Sequence, residues 1–576
     1  MALASVSFDQ MDARYDNVED AQRTTCEWVL RNPAYVAWNE RDNPPRHRIL
    51  WIAGKPGAGK STLMKFALAQ AKNSVLEDEI VLSFFFDARG DDLEKTTLGV
   101  YRVLLYQLLN KAPDLQSVLD NFDASDLSQA KSPTWSLDML QEFLSAAMQG
   151  LGQRRVKCFI DALDECNEEQ VRDMVEYLEN LGEHILSDDS RLHICFASRH
   201  YPTIEIHNNW RLVLEDEAGH AEDLKKYIRH RLRAGEGKLV GEIRDQTQRK
   251  ANGVFMWTVL VVHILNDEFR RGRIFAVKKR LQEVPTKLSD LFKDLLRRDR
   301  VNMRDLLLCL QWILFAKRLL SREEFYSAMV AGLSHDFDHV DGWKPDPLDP
   351  EEVTTEDMNR FVLNSSKGLA ELTKSEKAPT VQFIHESVRD FLIIDGGLRE
   401  LWPELGNELA SSSHERLKKC CSRYMTADLS TYQDPGGALP EASSEDAKTL
   451  REQVCTKFPF LDYATKEGFY HANEAAHTIG QKTFLAAFAV EQWIHVNNVL
   501  ELAHSCRHSP HVNILLYLLA EKNCHRLIEA LHCNDVCLRL TQERYQFPIL
   551  AAFSNGHQAT LQAVLGDGVG ASWLIS

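Results

Sequence analysis

The sequence has no run of about 18 uninterrupted apolar residues, so no membrane-spanning helix is expected. Met1 to Gln10 carry no basic residue and no apolar core of signal-peptide length, which argues against a secretory leader. Positive charge is also in deficit. A net charge of −17 disfavours a protein that grips nucleic acid through a basic surface, and no basic patch stands out. Cysteine is sparse and scattered, twelve in 576 residues, and Cys158, Cys195 and Cys309 lie inside apolar runs. That pattern suits buried free thiols in a reducing compartment better than a disulfide framework. Cys524, His525, His532, Cys533 and Cys537 fall close together, but they lack the Cys-x-x-Cys spacing of a zinc knuckle. These absences point to a soluble, cytoplasmic protein. With 44% hydrophobic and 26% charged residues, the composition is globular, and the length suggests about three or four domains.

What is present is organised around residues 49–65. Gly54, Lys55, Pro56, Gly57, Ala58, Gly59, Lys60 and Ser61 fill the phosphate-cradling pattern G-x-x-x-x-G-K-[ST], and Thr62 follows as a further candidate binding residue. Ile49 to Ile52 read as a buried strand before it, and Leu63, Phe66, Ala67 and Gln70 as a helix after it. Strand, glycine turn and helix N-terminus is the context this chemistry needs. Backbone N–H groups face the phosphates, Lys60 approaches the β and γ phosphates, and Ser61 offers a hydroxyl to Mg²⁺.

Three more apolar runs follow: Ile80–Phe86, Val156–Leu163 and Leu192–Ser198. Helical stretches at Leu98–Leu109 and Val171–Leu181 separate them, which predicts a parallel sheet covered on both faces. The run Val156–Leu163 carries Asp161 near its C-terminal end, 101 residues after Lys60, followed by Asp164 and Glu165. A carboxylate at the C-terminal end of such a strand holds Mg²⁺ from the side opposite the serine hydroxyl. Asp164 and Glu165 are then placed to orient or deprotonate a water. A solvated acidic turn is the plainer alternative. The fourth run ends in Arg199, a candidate γ-phosphate sensor or an ordinary surface arginine.

Residues before 47 predict one helix from about Asn17 to Val36, packed on the next domain, with a break at Asn43-Pro44-Pro45. From 205 to 400 the pattern is mostly helical. Gly253 to Trp257 open an apolar helix, with Met256 and Trp257 read as core. Ser321 and Glu324 have capping-box spacing. Val381 to Ser387 read as a short strand feeding a helix, in an order that suits a winged helix. Residues 335–357 read as an exposed acidic loop and 426–450 as a linker. Near the end, residues 517–531 lie on 549–563 at an offset of 32, taking His525 onto His557. This has the grain of ankyrin repeats of about 33 residues, with a plain helical hairpin as the alternative.

These motifs together resemble the fungal NACHT-domain proteins, NOD-like receptors of the STAND class of P-loop ATPases. The likeness rests on Gly54–Leu63, on Asp161-Ala162-Leu163-Asp164-Glu165-Cys166, on Phe196–Arg199, on Gly253–Trp257 and on Phe383–Leu392. Met11–Tyr15 with Cys26–Leu30 resembles the segment leading into that domain.

The resemblance implies an α/β P-loop nucleotide-binding domain with a parallel sheet, followed by helical and winged-helix domains and an all-α, ankyrin-like C-terminal region. The expected boundaries are a lead-in to 46, a NACHT domain at 47–215, a helical domain at 216–300 and a winged helix at 301–400. A helix and linker at 401–450 and degenerate repeats at 451–576 complete the chain. The resemblance further implies ATP/ADP and Mg²⁺ as cofactors, slow hydrolysis as the reset of a conformational switch, and His385 as a latch on the ADP β-phosphate. Protein partners would dock on the C-terminal repeats, and protomers would self-assemble in a nucleotide-dependent way. The chain departs from the pattern in its short lead-in and short repeat region, which predicts a truncated or partner-dependent member. A nucleotide-stabilised scaffold without catalysis is the competing expectation.

Overall fold

A computed structural model describes residues 2–8, 11–22, 24–40, 48–119, 135–184, 192–200, 209–235, 237–298, 302–334, 343–375, 378–406, 408–430, 439–503, 507–509, 514–531 and 540–565. Asn43 to Pro45, residues 335–342 of the acidic loop, and His532, Cys533 and Cys537 lie outside that set. The chain divides into two compact units, Met1–Asp294 and Leu295–Ser576.

The first unit is built on five parallel strands: β1 (Ile49–Ala53), β2 (Glu79–Phe85), β3 (Arg155–Asp161), β4 (Leu192–Ser198) and β5 (Asn209–Val213). Their order is β2-β3-β4-β1-β5. Every residue of β1 to β4 is buried, which explains their unbroken apolar runs. Alternate side chains serve opposite faces. Leu50, Ile52, Phe159 and Cys195 pack with Leu63, Met64 and Leu68 of the helix Lys60–Asn73. Trp51, Phe84, Ile160 and Phe196 pack with Leu104, Leu144 and Val175 of the helices Thr97–Lys111, Leu137–Gln149 and Glu168–His184. At the N-terminal end of the sheet, buried Glu79 pairs with Arg155 (3.6 Å) and Lys157 (3.3 Å).

Two expectations need correction here. The sheet has a fifth strand, β5, which carries no strand signal in the sequence. It is an edge strand, largely half-exposed, and its Asn-Trp-Arg-Leu-Val sequence has no continuous apolar run. The lead-in is not one helix but four short pieces among the described residues, Ala2–Val6, Ala13–Asn17, the 3₁₀ turn Glu27–Arg31 and Pro33–Asn39. Cys26 stands at φ +66°, and Asn32 caps a new start with Pro33 in its first turn, so the backbone breaks twice. The lead-in does pack on the sheet unit, as expected: Val29, Tyr35 and Trp38 are buried with β1, and Trp38 donates to the Arg48 carbonyl at 2.9 Å.

The second unit begins with helices Met303–Phe315, Arg322–Leu333 and Thr355–Ser365. An antiparallel hairpin follows, β6 (Ala370–Leu372) and β7 (Val381–Phe383), then the helix Glu386–Ile393. Ser321 and Glu324 form the expected capping box. Helices Leu409–Tyr424 and Leu461–Ala475 bury a polar pair: His414 Nδ1 lies 2.9 Å from His471 Nδ1, and His471 Nε2 lies 3.0 Å from the Tyr463 hydroxyl. Part of the predicted linker is helical, since Ser444 caps Glu445–Lys457. Two helix pairs close the described chain, Ile514–Glu521 with His525–Leu531 and Pro548–Ser554 with Gln558–Leu565. Equivalent helices of the two pairs pack on each other, and Thr560 donates to Asn523 at 2.8 Å. No described helix is long and apolar enough to cross a membrane.

Candidate functional site

Strand β1 ends at Ala53, and the chain then turns through Gly54 to Gly59 into the helix beginning at Lys60. Gly57 (φ +73°) and Gly59 (φ +104°) occupy the left-handed region, where a side chain is strained. The loop's N–H groups and the helix N-terminus form an anion cradle. The Lys60 ammonium donates to the carbonyls of Gly54 (2.9 Å) and Lys55 (3.1 Å), folded back over the loop. Burial pushes its pKa below the ordinary lysine range, with Asp164 opposing.

The sheet order puts β4 between β1 and β3, so Asp161 and Arg199 both emerge at the C-terminal edge beside the loop. Asp161 is 0% exposed, and neither carboxylate oxygen accepts a hydrogen bond of ordinary geometry. The Ser61 hydroxyl lies close enough to lower its pKa without closing such a bond. Burial dominates and lifts the carboxyl to about 6, with Ser61 and Arg14 opposing and Glu165 adding to the rise. An orphaned buried carboxylate beside a serine hydroxyl fits Mg²⁺, which takes one or two protein oxygens and completes its shell with phosphate and water. Ser61 and Asp161 are the residues that would hold it.

After Asp161 the backbone swings through Ala162 at φ +60° into a 3₁₀ turn, Leu163–Glu165. This explains the small residue that follows the aspartate, since a branched side chain is a steric outlier there. The turn separates the two remaining carboxylates. Asp164 faces Arg199, accepting its backbone N–H at Oδ1 and its Nε at Oδ2, both at 2.8 Å. Glu165 turns the other way: Oε2 accepts the Ala88 N–H at 2.9 Å, and Oε1 lies 3.8 Å from Arg14. Burial raises its pKa, with Arg14 opposing and Asp87 reinforcing the rise.

Lys55, Pro56 and Ala58 lie in the loop between β1 and the helix Lys60–Asn73, and Thr62 lies in that helix's first turn. Several neighbours carry no sequence signature. Glu215 accepts the Lys55 N–H at 3.2 Å and meets His200 Nε2 at 2.6 Å. It stands just past the edge strand β5. Asn252 and Gly253, both at positive φ, lead into the helix Phe255–Arg270. Lys55 Nζ donates to the Asn252 carbonyl at 3.2 Å, and the Met256 N–H donates to the Gly57 carbonyl at 2.9 Å. Met256 is therefore half-buried against the loop instead of in the core, which corrects the sequence expectation, whereas Trp257 is fully buried as expected.

His385 belongs to the second unit. There its Nδ1 accepts the Ser387 N–H at 3.0 Å and lies 2.8 Å from the Ser387 hydroxyl, capping the helix Glu386–Ile393. In the neutral ring, Nε2 then carries the proton.

The chain is similar to known proteins in part of its length. Residues 24–199 match the family model described as nephrocystin 3, N-terminal. Over 383 residues the chain is 28% identical to vegetative incompatibility protein HET-E-1 of Podospora anserina, covering 64% of this chain and 26% of that protein. The chain thus spans about a quarter of that relative's length. Among solved structures it is similar to a Walker-type ATPase of Pyrococcus abyssi, with 15% identity, a TM-score of 0.29, and 66% of this chain and 99% of the other covered. It is also similar to Cdc6p from Pyrobaculum aerophilum, with 9% identity, a TM-score of 0.27, and coverages of 68% and 98%. Met1–Asp294 carries a five-stranded parallel α/β sheet with a phosphate-cradling loop after β1, and the chain is similar in sequence to HET-E-1.

Proposed function

We propose that the protein is an ATP/ADP-binding molecular switch of the STAND type, with slow hydrolysis as its reset. The carrying observation is Asp161, a fully buried carboxylate without a hydrogen bond, next to Ser61 at the mouth of a phosphate cradle. Such a group is costly unless a cation joins it. Mg²⁺ bound there would neutralise charge on the phosphates. Around it, Lys60 would turn from its loop carbonyls to the β and γ phosphates, Arg199 would meet the γ-phosphate, and Glu165 would orient a water. Asp164 is held by Arg199 and Glu165 by Arg14, which supports an ordered set of carboxylates around the cradle. The similarity to HET-E-1, a vegetative incompatibility protein, supports a signalling or non-self-recognition role. In this reading the helices and hairpin of 301–400 act as the winged helix, His385 is the ADP latch, and the last two helix pairs are ankyrin-like.

Steady-state ATP turnover of the wild type against Lys60→Ala tests the proposal, together with the identity of the nucleotide that co-purifies. Trapped ADP and turnover lost in Lys60→Ala support it. Turnover equal in the two proteins, with no bound nucleotide, overturns it. A scaffold reading is favoured by one observation: Leu550 and Phe553 are 45% and 62% exposed on one face of the helix Pro548–Ser554. It requires partner binding unchanged in Lys60→Ala.

A further inference from the structure

The short helix Ala13–Asn17 is fastened to the nucleotide unit by contacts that do not involve its arginine. Lys65 of the P-loop helix donates to the Val18 carbonyl at 2.8 Å and pairs with Asp20 at 3.0 Å. The ammonium groups of Lys65 and Lys72 lie 5.0 and 4.8 Å from the centre of the Tyr15 ring. The Tyr15 ring meets Phe85, the last residue of β2, edge-on at 5.4 Å. Val18 is buried beneath them.

This docking brings the guanidinium of Arg14 into the acidic cluster at the C-terminal edge of the sheet. Arg14 Nη2 lies 3.8 Å from Glu165 Oε1, with the two side chains 14% and 9% exposed. The other groups around Glu165 are Ala88, whose N–H holds Oε2, and Asp87, which pairs with Arg89 at 3.1 Å. Asp161 approaches from β3. Asp87 and Asp161 repel the Glu165 carboxylate, and Arg89 is already engaged by Asp87. Arg14 reaches Glu165 from outside the sheet domain, and its charge also acts on Asp87 and Asp161.

We propose that Arg14 is a positioning residue of the hydrolytic site, fixing Glu165 Oε1 while the Ala88 N–H fixes Oε2. The proposal rests on the hydrolysis reading above. It makes residues 13–18 a wall of the nucleotide site. A carboxylate held at both oxygens keeps one orientation, so a water it accepts is presented from one direction. Without Arg14, Glu165 turns about its side-chain bonds under the repulsion of Asp87 and Asp161. The segment itself stays docked through Tyr15, Val18 and Asp20.

The test uses the full chain as wild type, Arg14→Gln, Arg14→Lys and Lys60→Ala. It measures kcat and KM for ATP, the affinity for a fluorescent ADP and the thermal midpoint. Arg14→Gln is expected to lower kcat by about 10²-fold, the scale of a misplaced catalytic group. ADP affinity is expected to stay within about twofold, a split that marks loss of a transition-state contact. Arg14→Lys recovers most of the rate. An unchanged kcat in Arg14→Gln overturns the proposal. So does a parallel fall in kcat, affinity and thermal midpoint that lysine does not rescue, which marks a structural tether. If wild-type turnover equals that of Lys60→Ala, the hydrolysis reading itself fails and the role of Arg14 falls with it.

Discussion

Asp164 holds Arg199 at two points, taking its backbone N–H and its Nε at 2.8 Å each. Arg199, the proposed γ-phosphate sensor, is therefore committed to an acid whose partners differ from those of Glu165. Asp164→Asn keeps an oxygen for the backbone N–H and removes the charge that holds the guanidinium. Turnover should fall by about 10²-fold, as when one oriented charge-stabilising donor is lost. Affinity for ADP, which has no γ-phosphate, should change little. Single-turnover hydrolysis and ADP titration check the pair.

Ala162 predicts a steric result. At φ +60° a β-branched residue is strained, so Ala162→Val should cost about 1–3 kcal/mol. Ala162→Gly should be tolerated, because glycine enters this region freely. Urea denaturation midpoints of the two variants give the comparison.

Glu79 predicts an electrostatic one. It is the buried partner of both Arg155 and Lys157. Glu79→Ala leaves two buried cations without their carboxylate, at a cost of about 3–5 kcal/mol. The loss should appear in the unfolding midpoint of the nucleotide unit, monitored by hydrogen exchange in β2 and β3.

The His414–His471 pair predicts a pH dependence. Burial lowers the His414 pKa to about 4, against 6.5 for an unburied histidine, with Glu474 opposing. Burial and then His414 lower that of His471 further. The unfolded chain therefore binds more protons than the folded one between pH 6.5 and 4. Stability is full above about pH 6.5 and declines as pH falls toward 4, by about 3 kcal/mol for His414 alone. Denaturation midpoints at about pH 7.5 and about pH 5, on either side of the unfolded-state pKa, should diverge in the wild type. In His414→Phe the dependence should weaken by the His414 share, with the part due to buried His471 remaining.

Much of the cradle is legible in the sequence because its backbone demands glycine and its sheet demands unbroken apolar strands. Asp161 is legible from its place at the end of such a strand. What the sequence hides falls into two physical kinds. Strand β5 is an edge, so its composition resembles a loop. Arg14, Glu215 and Asn252 act through partners distant in sequence, and the Met256 N–H is a group every residue but proline carries. Ala162 is readable as a small residue, but the reason for its size is a dihedral angle.

The ties between Lys55 and Asn252 and between Gly57 and Met256 have one more consequence. The loop's carbonyls and ammonium are shared with a bend whose residues already stand at left-handed angles. An anion that claims Lys55, or that re-aims the peptide at Gly57, must alter that bend. Withdrawing the Lys55 ammonium would leave the Asn252 carbonyl without that donor, just ahead of the helix Phe255–Arg270.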